Sequence, residues 1–306
     1  MQRALGLQYM SSLYAHKGWR AAWASLKPRA APTLALLGNC VSLASDEEAR
    51  NSYKFLKKCA ATWDKVFIVP GPAELSSHAA LTATDQLQQL REFCDSSLIG
   101  HVDIGRYPIT LMDQAEYYYS HLDIVILAAS GWADCSTLEK FPVATHEADT
   151  IWVADAGGVR KIQPDDLTNW HMDDMAWLQE RVTWWKRQRP AVRVVLMTHS
   201  LSSPYLLNSG LPKEAYERIY MDVMPFTSTD PMFAKGNIYA WLCGATGSCT
   251  SGFMGPKNRV FSSVNALYAK GSATHRNPQF LPDRKLEIPI LQAATPSDSS
   301  APIILR

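Results

Sequence analysis

A set of short apolar runs, at residues 5–10, 33–37, 66–69, 124–128, 192–197 and 237–242, most limits what this chain can fold into. The runs are rich in Val, Ile and Leu and do not alternate with polar residues, the pattern of strands covered on both faces. Between them lie stretches with a helical period. Ser45 and Glu48 form a capping box, and Ala49, Tyr53, Leu56, Ala60 and Trp63 follow on one face. Residues 85–96 put Leu87, Leu90 and Phe93 or Cys94 on one face, which predicts a second helix. The clearest helix covers 173–188, where Met175, Leu178, Val182 and Trp185 recur at three- and four-residue steps and Pro190 follows the end. Buried strands alternating with such helices predict an α/β layered fold.

Composition narrows the function classes. The 306 residues are 47% hydrophobic and 19% charged, enough for a sizeable core in one large domain. A formal net charge of +1 gives no electrostatic footprint for nucleic acid or an anionic membrane surface. No run reaches the roughly 18 apolar residues of a membrane helix, and the first seven residues turn polar too soon for a signal peptide. The six cysteines, at 40, 59, 94, 135, 243 and 249, form no C-x-x-C pair. They read as reduced, mostly buried thiols, and the expected compartment is intracellular and cytoplasmic. From residue 291 the composition shifts to Ala, Ser, Thr and Pro, so the expected division is a domain at 1–290 and a tail at 291–306. The tail ends in Ile303-Ile304-Leu305-Arg306, an apolar tip that can dock on a partner, on another copy, or back on its own domain.

Five strand ends carry small or polar residues, and strand ends are where open α/β sheets place their sites. They read Ser11-Ser12-Leu13-Tyr14, Gly38-Asn39-Cys40, Gly71-Pro72-Ala73-Glu74, Thr198-His199-Ser200 and Gly244-Ala245-Thr246-Gly247. In order and spacing they resemble the motifs of the calcineurin-like metallophosphoesterases, in degenerate form. Where that family has D-x-H, this chain has Ser12 and Tyr14; where it has G-D, Asn39 replaces the acid. Of G-N-H-[DE], Gly71 and Glu74 remain, while Pro72 replaces the ligand Asn and Ala73 the catalytic His. The strand-ending His is kept as His199, and G-H-x-H has become Gly244-Ala245-Thr246-Gly247, with Ala245 and Gly247 at the two His positions. The likeness extends to the helix before His199, a turn at Asn265 and a closing strand before residue 290. It implies a four-layer α/β/β/α sandwich of two mixed sheets, with the five ends converging at one edge.

A dinuclear site holds two cations roughly 3.5–4 Å apart and needs anionic oxygens and imidazoles around them. At the positions the resemblance marks, Ser12 and Asn39 are uncharged, and Tyr14, Pro72, Ala245 and Gly247 supply no family-type ligand. Ala73 cannot donate a proton to a leaving group. The expectation is therefore no resident metal or other cofactor and no catalytic residues: a pseudoenzyme acting as a binding, structural or assembly module, with a protein partner, self-assembly or a place in a larger particle. The alternative is an altered hydrolase, a phosphoric ester hydrolase if active, built around His199, Asn39 and Cys40. In that reading Cys40 and His199 form a nucleophile pair; in the other, Cys40 is a small buried thiol and His199 a hydrogen-bonded strand end. Glu74 reads as a capping or supporting acid, and His146 and Glu147 as solvated surface. The tryptophans at 170, 177, 184 and 185 read as helix packing, with one at an interface, and Tyr117 to Tyr119 as packing on a strand edge.

Overall fold

The structure, a computed structural model, describes residues 4–95, 109–132, 150–200, 237–244, 249–254, 260–265 and 280–289. All six apolar runs become strands, with ends moved by a residue or so. In chain order the elements are β1 (Ala4–Met10), α1 (Ala15–Ala24), β2 (Thr33–Leu37), α2 (Asp46–Ala60), β3 (Lys65–Val69), α3 (Pro72–Leu75), α4 (Ala83–Asp95), β4 (Ile109–Leu111), β5 (Ala115–Tyr119) and β6 (Ile124–Ala129). There follow β7 (Trp152–Asp155), β8 (Gly158–Lys161), α5 (Pro164–Gln188), β9 (Arg193–Thr198), β10 (Ile238–Cys243), β11 (Cys249–Met254), β12 (Val260–Asn265) and β13 (Lys285–Pro289).

One sheet has the order β13-β1-β2-β3-β4 and the other β11-β12-β10-β9-β6-β5. In the first, β1 to β4 run parallel and β13 antiparallel. In the second, β12, β10, β9 and β6 run parallel, closed by antiparallel β11 and β5. The inner faces meet in one core, with Leu7, Tyr9, Leu37 and Phe67 opposite Ile126, Met197 and Leu242. Alternate residues face outward. Leu34, Leu36, Val66 and Ile68 pack under helices that contribute Ala22, Phe55, Leu56 and Leu90. On the other side Val125, Leu127, Val194 and Leu196 lie under Leu178, Val182 and Trp185 of α5. Because each central strand is covered above and below, both of its side-chain sets are apolar, which is why the runs do not alternate. The result is the four-layer sandwich of two mixed sheets expected from the sequence.

Several local expectations are corrected. Ser45 does cap α2, its side chain accepting from the Glu48 amide at 3.4 Å, but that helix ends at Ala60. Trp63 lies beyond it, buried, and its Nε1 donates to Gln8 Oε1 at 3.1 Å. The long helix starts at Pro164, nine residues before the periodic stretch suggested. Proline at the first turn and Asp165 and Asp166 against the helix N-terminus were the available signal. Tyr117 to Tyr119 do lie along the edge of a strand, β6, but as part of a strand of their own, β5, which closes the second sheet. Helix α1, kinked at Gly18, was not foreseen. Asn265 is fully buried; its Nδ2 donates to Tyr9 O and Leu281 O, and its Oδ1 accepts from the Leu281 amide. It thereby ties β12 to β1 and to the approach to β13. The tail at 291–306 lies outside the described residues.

His16 opens α1 and is 4% exposed, with no hydrogen-bond partner for Nδ1 among the described residues. Burial first, then neighbouring Lys17, push its pKa from 6.5 down to about 3. The unfolded chain therefore holds more protons between those values, so the stability tied to the neutral ring is present above pH 6.5 and lost as pH falls toward 3. His16→Leu is expected to flatten the stability profile in that window relative to wild type, by up to roughly 1.4 kcal/mol per pH unit. Urea midpoints measured from pH 7 downward check this; parallel profiles would show that the ring carries no such linkage.

Candidate functional site

The ends of β1, β2, β3, β9 and β10 meet at one edge between the sheets. The segment after β1 runs along the segment after β2, with the amides of Ser12, Tyr14 and Ala15 donating to Gly38 O, Asn39 O and Cys40 O at 3.0, 3.0 and 2.8 Å. Ser11 Oγ donates across the sandwich to Gly244 O at 2.8 Å. The Gly244 amide in turn donates to Thr198 O and His199 O, both at 3.0 Å. The backbone is held in left-handed conformations here, with φ 52° at Ser12, 46° at Tyr14 and 54° at Asn39. Such conformations in side-chain-bearing residues cost free energy and persist where surrounding bonds over-determine them.

Glu74, in the one-turn helix α3, supplies much of that determination. It is 1% exposed. One carboxylate oxygen accepts from the Cys40 and Val41 amides at 2.8 and 3.0 Å, the other from Asn39 and Gly71 at 2.9 Å each. Burial raises this carboxyl and the four amides lower it; burial prevails, and the carboxyl stands at about 7. Asn39 completes the tie, its Oδ1 accepting from the Ala73 amide at 3.0 Å. The loops after β2 and β3 are thus laced together by the two retained polar positions of the motif.

His199 fills the gap between these loops. Its Nδ1 lies 3.1 Å from Leu37 O, and the ring is 3% exposed. A Cβ built on Gly38 would come within 2.1 Å of that Nδ1, and one on Gly71 within 2.8 Å. At Gly244 it would come within 1.7 Å of Leu37 O. Glycine is required at all three points because a ring or a carbonyl occupies the space a side chain would take. Cys40 is fully buried and its Sγ donates to Gly38 O at 3.3 Å. Burial, with the Glu74 carboxylate nearby, pushes the thiol well above its ordinary range.

Of the residues singled out from the sequence, Ser12, Tyr14, Asn39, Cys40, Pro72, Ala73, Glu74 and His199 lie on these converging segments. Ala245, Gly247, His146 and Glu147 lie outside the described residues. The donor set does not fit two divalent cations. Both Glu74 oxygens and Asn39 Oδ1 are engaged by amides, and among the described residues no three His, Cys, Asp or Glu side chains gather closely enough to hold a metal ion. Sequence reasoning missed a second group at the same edge: Trp132, Trp170, Asp113, Asp173 and Asp174 line a cleft of ≈ 160 Å³. The available signal was helical spacing, since Asp173 and Asp174 stand three and four residues after Trp170 on α5.

No protein-family model and no curated protein matches the chain. Among solved structures, the crystal structure of a phosphopantetheinyl hydrolase from Mycobacterium tuberculosis matches with a TM-score of 0.58 at 14% identity, covering 88% of this chain and 92% of that one. At that identity the likeness is one of fold: a phosphoesterase-like α/β sandwich.

Two substitutions probe the junction. Glu74→Gln turns an NH₂ group toward two of the four amides; at about 1–3 kcal/mol for each buried donor left unpaired, a loss of about 2–6 kcal/mol is expected in urea unfolding. A loss below about 1 kcal/mol would show that the carboxylate is not the anchor. Gly38→Ala is expected to cost about 3 kcal/mol from overpacking and left-handed strain together. In a His199→Ala background only strain of about 1 kcal/mol should remain; equal costs in both backgrounds would show that the ring is not what the Cβ meets.

Proposed function

We infer that this chain is a calcineurin-like phosphoesterase scaffold that no longer carries out metal-dependent ester hydrolysis and acts by binding or assembly. One observation carries the reading. The retained polar positions, Asn39 and Glu74, spend their oxygens on backbone amides of neighbouring loops rather than presenting them to a shared point. A metallophosphoesterase needs the opposite arrangement, with carboxylates and imidazoles aimed at two cations that polarise the phosphoryl group and supply hydroxide. Position 73, where the resemblance places the proton donor, is Ala. With no resident metal and no general acid, the preserved fold supports a role in contact with another protein or with copies of itself.

The runner-up is a hydrolase using His199, Asn39 and Cys40 in the same edge. The proximity of these residues on adjoining loops favours it. Against it, a thiol nucleophile reacts as thiolate, and Cys40 is fully buried with its proton held by burial and by Glu74.

Elemental analysis of purified protein after mild dialysis, combined with turnover of p-nitrophenyl phosphate and bis-p-nitrophenyl phosphate with added Mn²⁺, decides between them. The expected outcome is substoichiometric metal and no turnover above a His199→Ala control. Stoichiometric Zn, Mn or Fe, or metal-stimulated turnover abolished by His199→Ala, would overturn the proposal. Metal-independent turnover lost in Cys40→Ser would favour the runner-up.

A further inference from the structure

The cleft beside the junction is built from different residues and carries an inference of its own. It lies where the connection after β4, the end of β6 and the first half of α5 come together, with Leu75 of α3 and Leu87 of α4 completing its wall. Leu75 stands one residue past Glu74, and Ser130, also in the wall, accepts the amides of His199 and Ser200 through its carbonyl at 2.9 and 3.2 Å. Cleft and junction therefore share a rim but no side chain that the junction uses.

Two tryptophans line the cleft. The Trp132 and Trp170 rings lie 5.3 Å apart at 56°. Trp132 is 8% exposed, and its carbonyl is fixed by His171 Nδ1 at 2.6 Å. Three carboxylates share the lining: Asp113, Asp173 and Asp174 all face the space, and among the described residues no Lys, Arg or His does. This acidity is local, since the whole chain carries a formal charge of +1. Asp174 is 4% exposed and immobilised, accepting from Gln114 Nε2 at 3.0 Å and from the Gly131 amide at 2.7 Å. Burial pushes its carboxyl up to about 6, and the charges of Asp113 and Asp173 push in the same direction. Three like charges thus face one space with no countercharge among the described residues of its walls.

We propose that this cleft binds a small organic cation, an ammonium or guanidinium group seated against the Trp132 and Trp170 rings and neutralised by Asp113, Asp173 and Asp174. The two kinds of lining residue select for different parts of such a ligand. Indole faces attract cations through their quadrupole and cover apolar carbon at the same time. The carboxylates are too dispersed to share a bare metal ion, since they form no group able to hold one. A cation with an apolar body and spread charge matches a space of ≈ 160 Å³ between them. Arg91 acts on Asp113 electrostatically but is not in the wall, so it does not occupy the role of the ligand.

The test uses the full chain, with tryptophan fluorescence and calorimetry as readouts. Tetramethylammonium, n-butylammonium and n-butylguanidinium are the probes, 1-butanol is the neutral control and Ca²⁺ the metal control. At least one organic cation should bind saturably, with Kd on the order of 1 mM for a fragment of so few atoms. Asp174→Asn should weaken it about tenfold or more and Asp173→Asn about fivefold. Asp173 is exposed, so that variant keeps the test valid should Asp174→Asn fold poorly. No saturable signal for any cation up to about 50 mM, equal binding of 1-butanol, unchanged affinity in Asp173→Asn, or stoichiometric Ca²⁺ competing with the probes would each overturn the proposal. None of these readouts involves a resident metal or ester hydrolysis, so this proposal and the reading of the junction stand or fall separately.

Discussion

A buried carboxylate without a cation is costly, and the arrangement around Glu74 depends on meeting that cost. Removing a carboxylate from water carries a penalty of several kcal/mol. Four amide donors at roughly 1.5–3 kcal/mol each offset part of it, and the carboxyl stays raised, at about 7. Those amides belong to Gly71, Asn39, Cys40 and Val41, so satisfying the charge fixes the loops after β2 and β3 relative to each other. The left-handed turn at Asn39 and the narrow slot that takes the His199 ring follow from that fixation. In a metal centre, cations would neutralise the acids; here backbone amides of four residues point at the Glu74 carboxylate.

The rest of the sandwich brings the strand ends into range. Two mixed sheets share an inner core, and their outer faces are covered by α1, α2 and α4 on one side and α5 on the other. Burial on both faces leaves strand ends and the segments leaving them as the places where polar groups can be grouped. The junction and the acidic cleft both use that edge, through different strands: β1, β2, β3, β9 and β10 for one, β4 and β6 for the other. They differ in electrostatics. At the junction, amides answer the single buried acid. In the cleft, Asp174 has two donors, while Asp113 and Asp173 add charge that no described residue of the wall balances.

The sequence by itself determined the layers and the central strands. Runs of apolar residues without alternation have one economical solution, strands covered above and below, and the helices between them carry the matching stripes. The five strand ends could be named in advance for the same reason. It also determined which side-chain ligands are missing at the positions the resemblance marks, since Ala and Pro side chains carry no donor atom for a cation in any fold. What it left open were elements whose signal is weak or overridden. The edge strand of Tyr117 to Tyr119 is too short and too aromatic to separate from packing residues, and α1 follows a left-handed Tyr14 that no propensity indicates. The first nine residues of α5 carry cap signals but little periodicity.

Only the tertiary structure decided what the polar residues do. Glu74 as a fourfold backbone anchor requires Asn39, Cys40 and Val41 to arrive from a segment more than thirty residues away in sequence. The closeness of His199 to Gly38 and Gly71 is likewise a product of sheet packing, as is the meeting of Trp132 and Asp113 with Trp170, Asp173 and Asp174. Hydrophobic periodicity is a local property and can be read along the chain. Hydrogen-bond partners and the balance of charge in a cleft are long-range properties, set by which segments the packed core brings to the same edge.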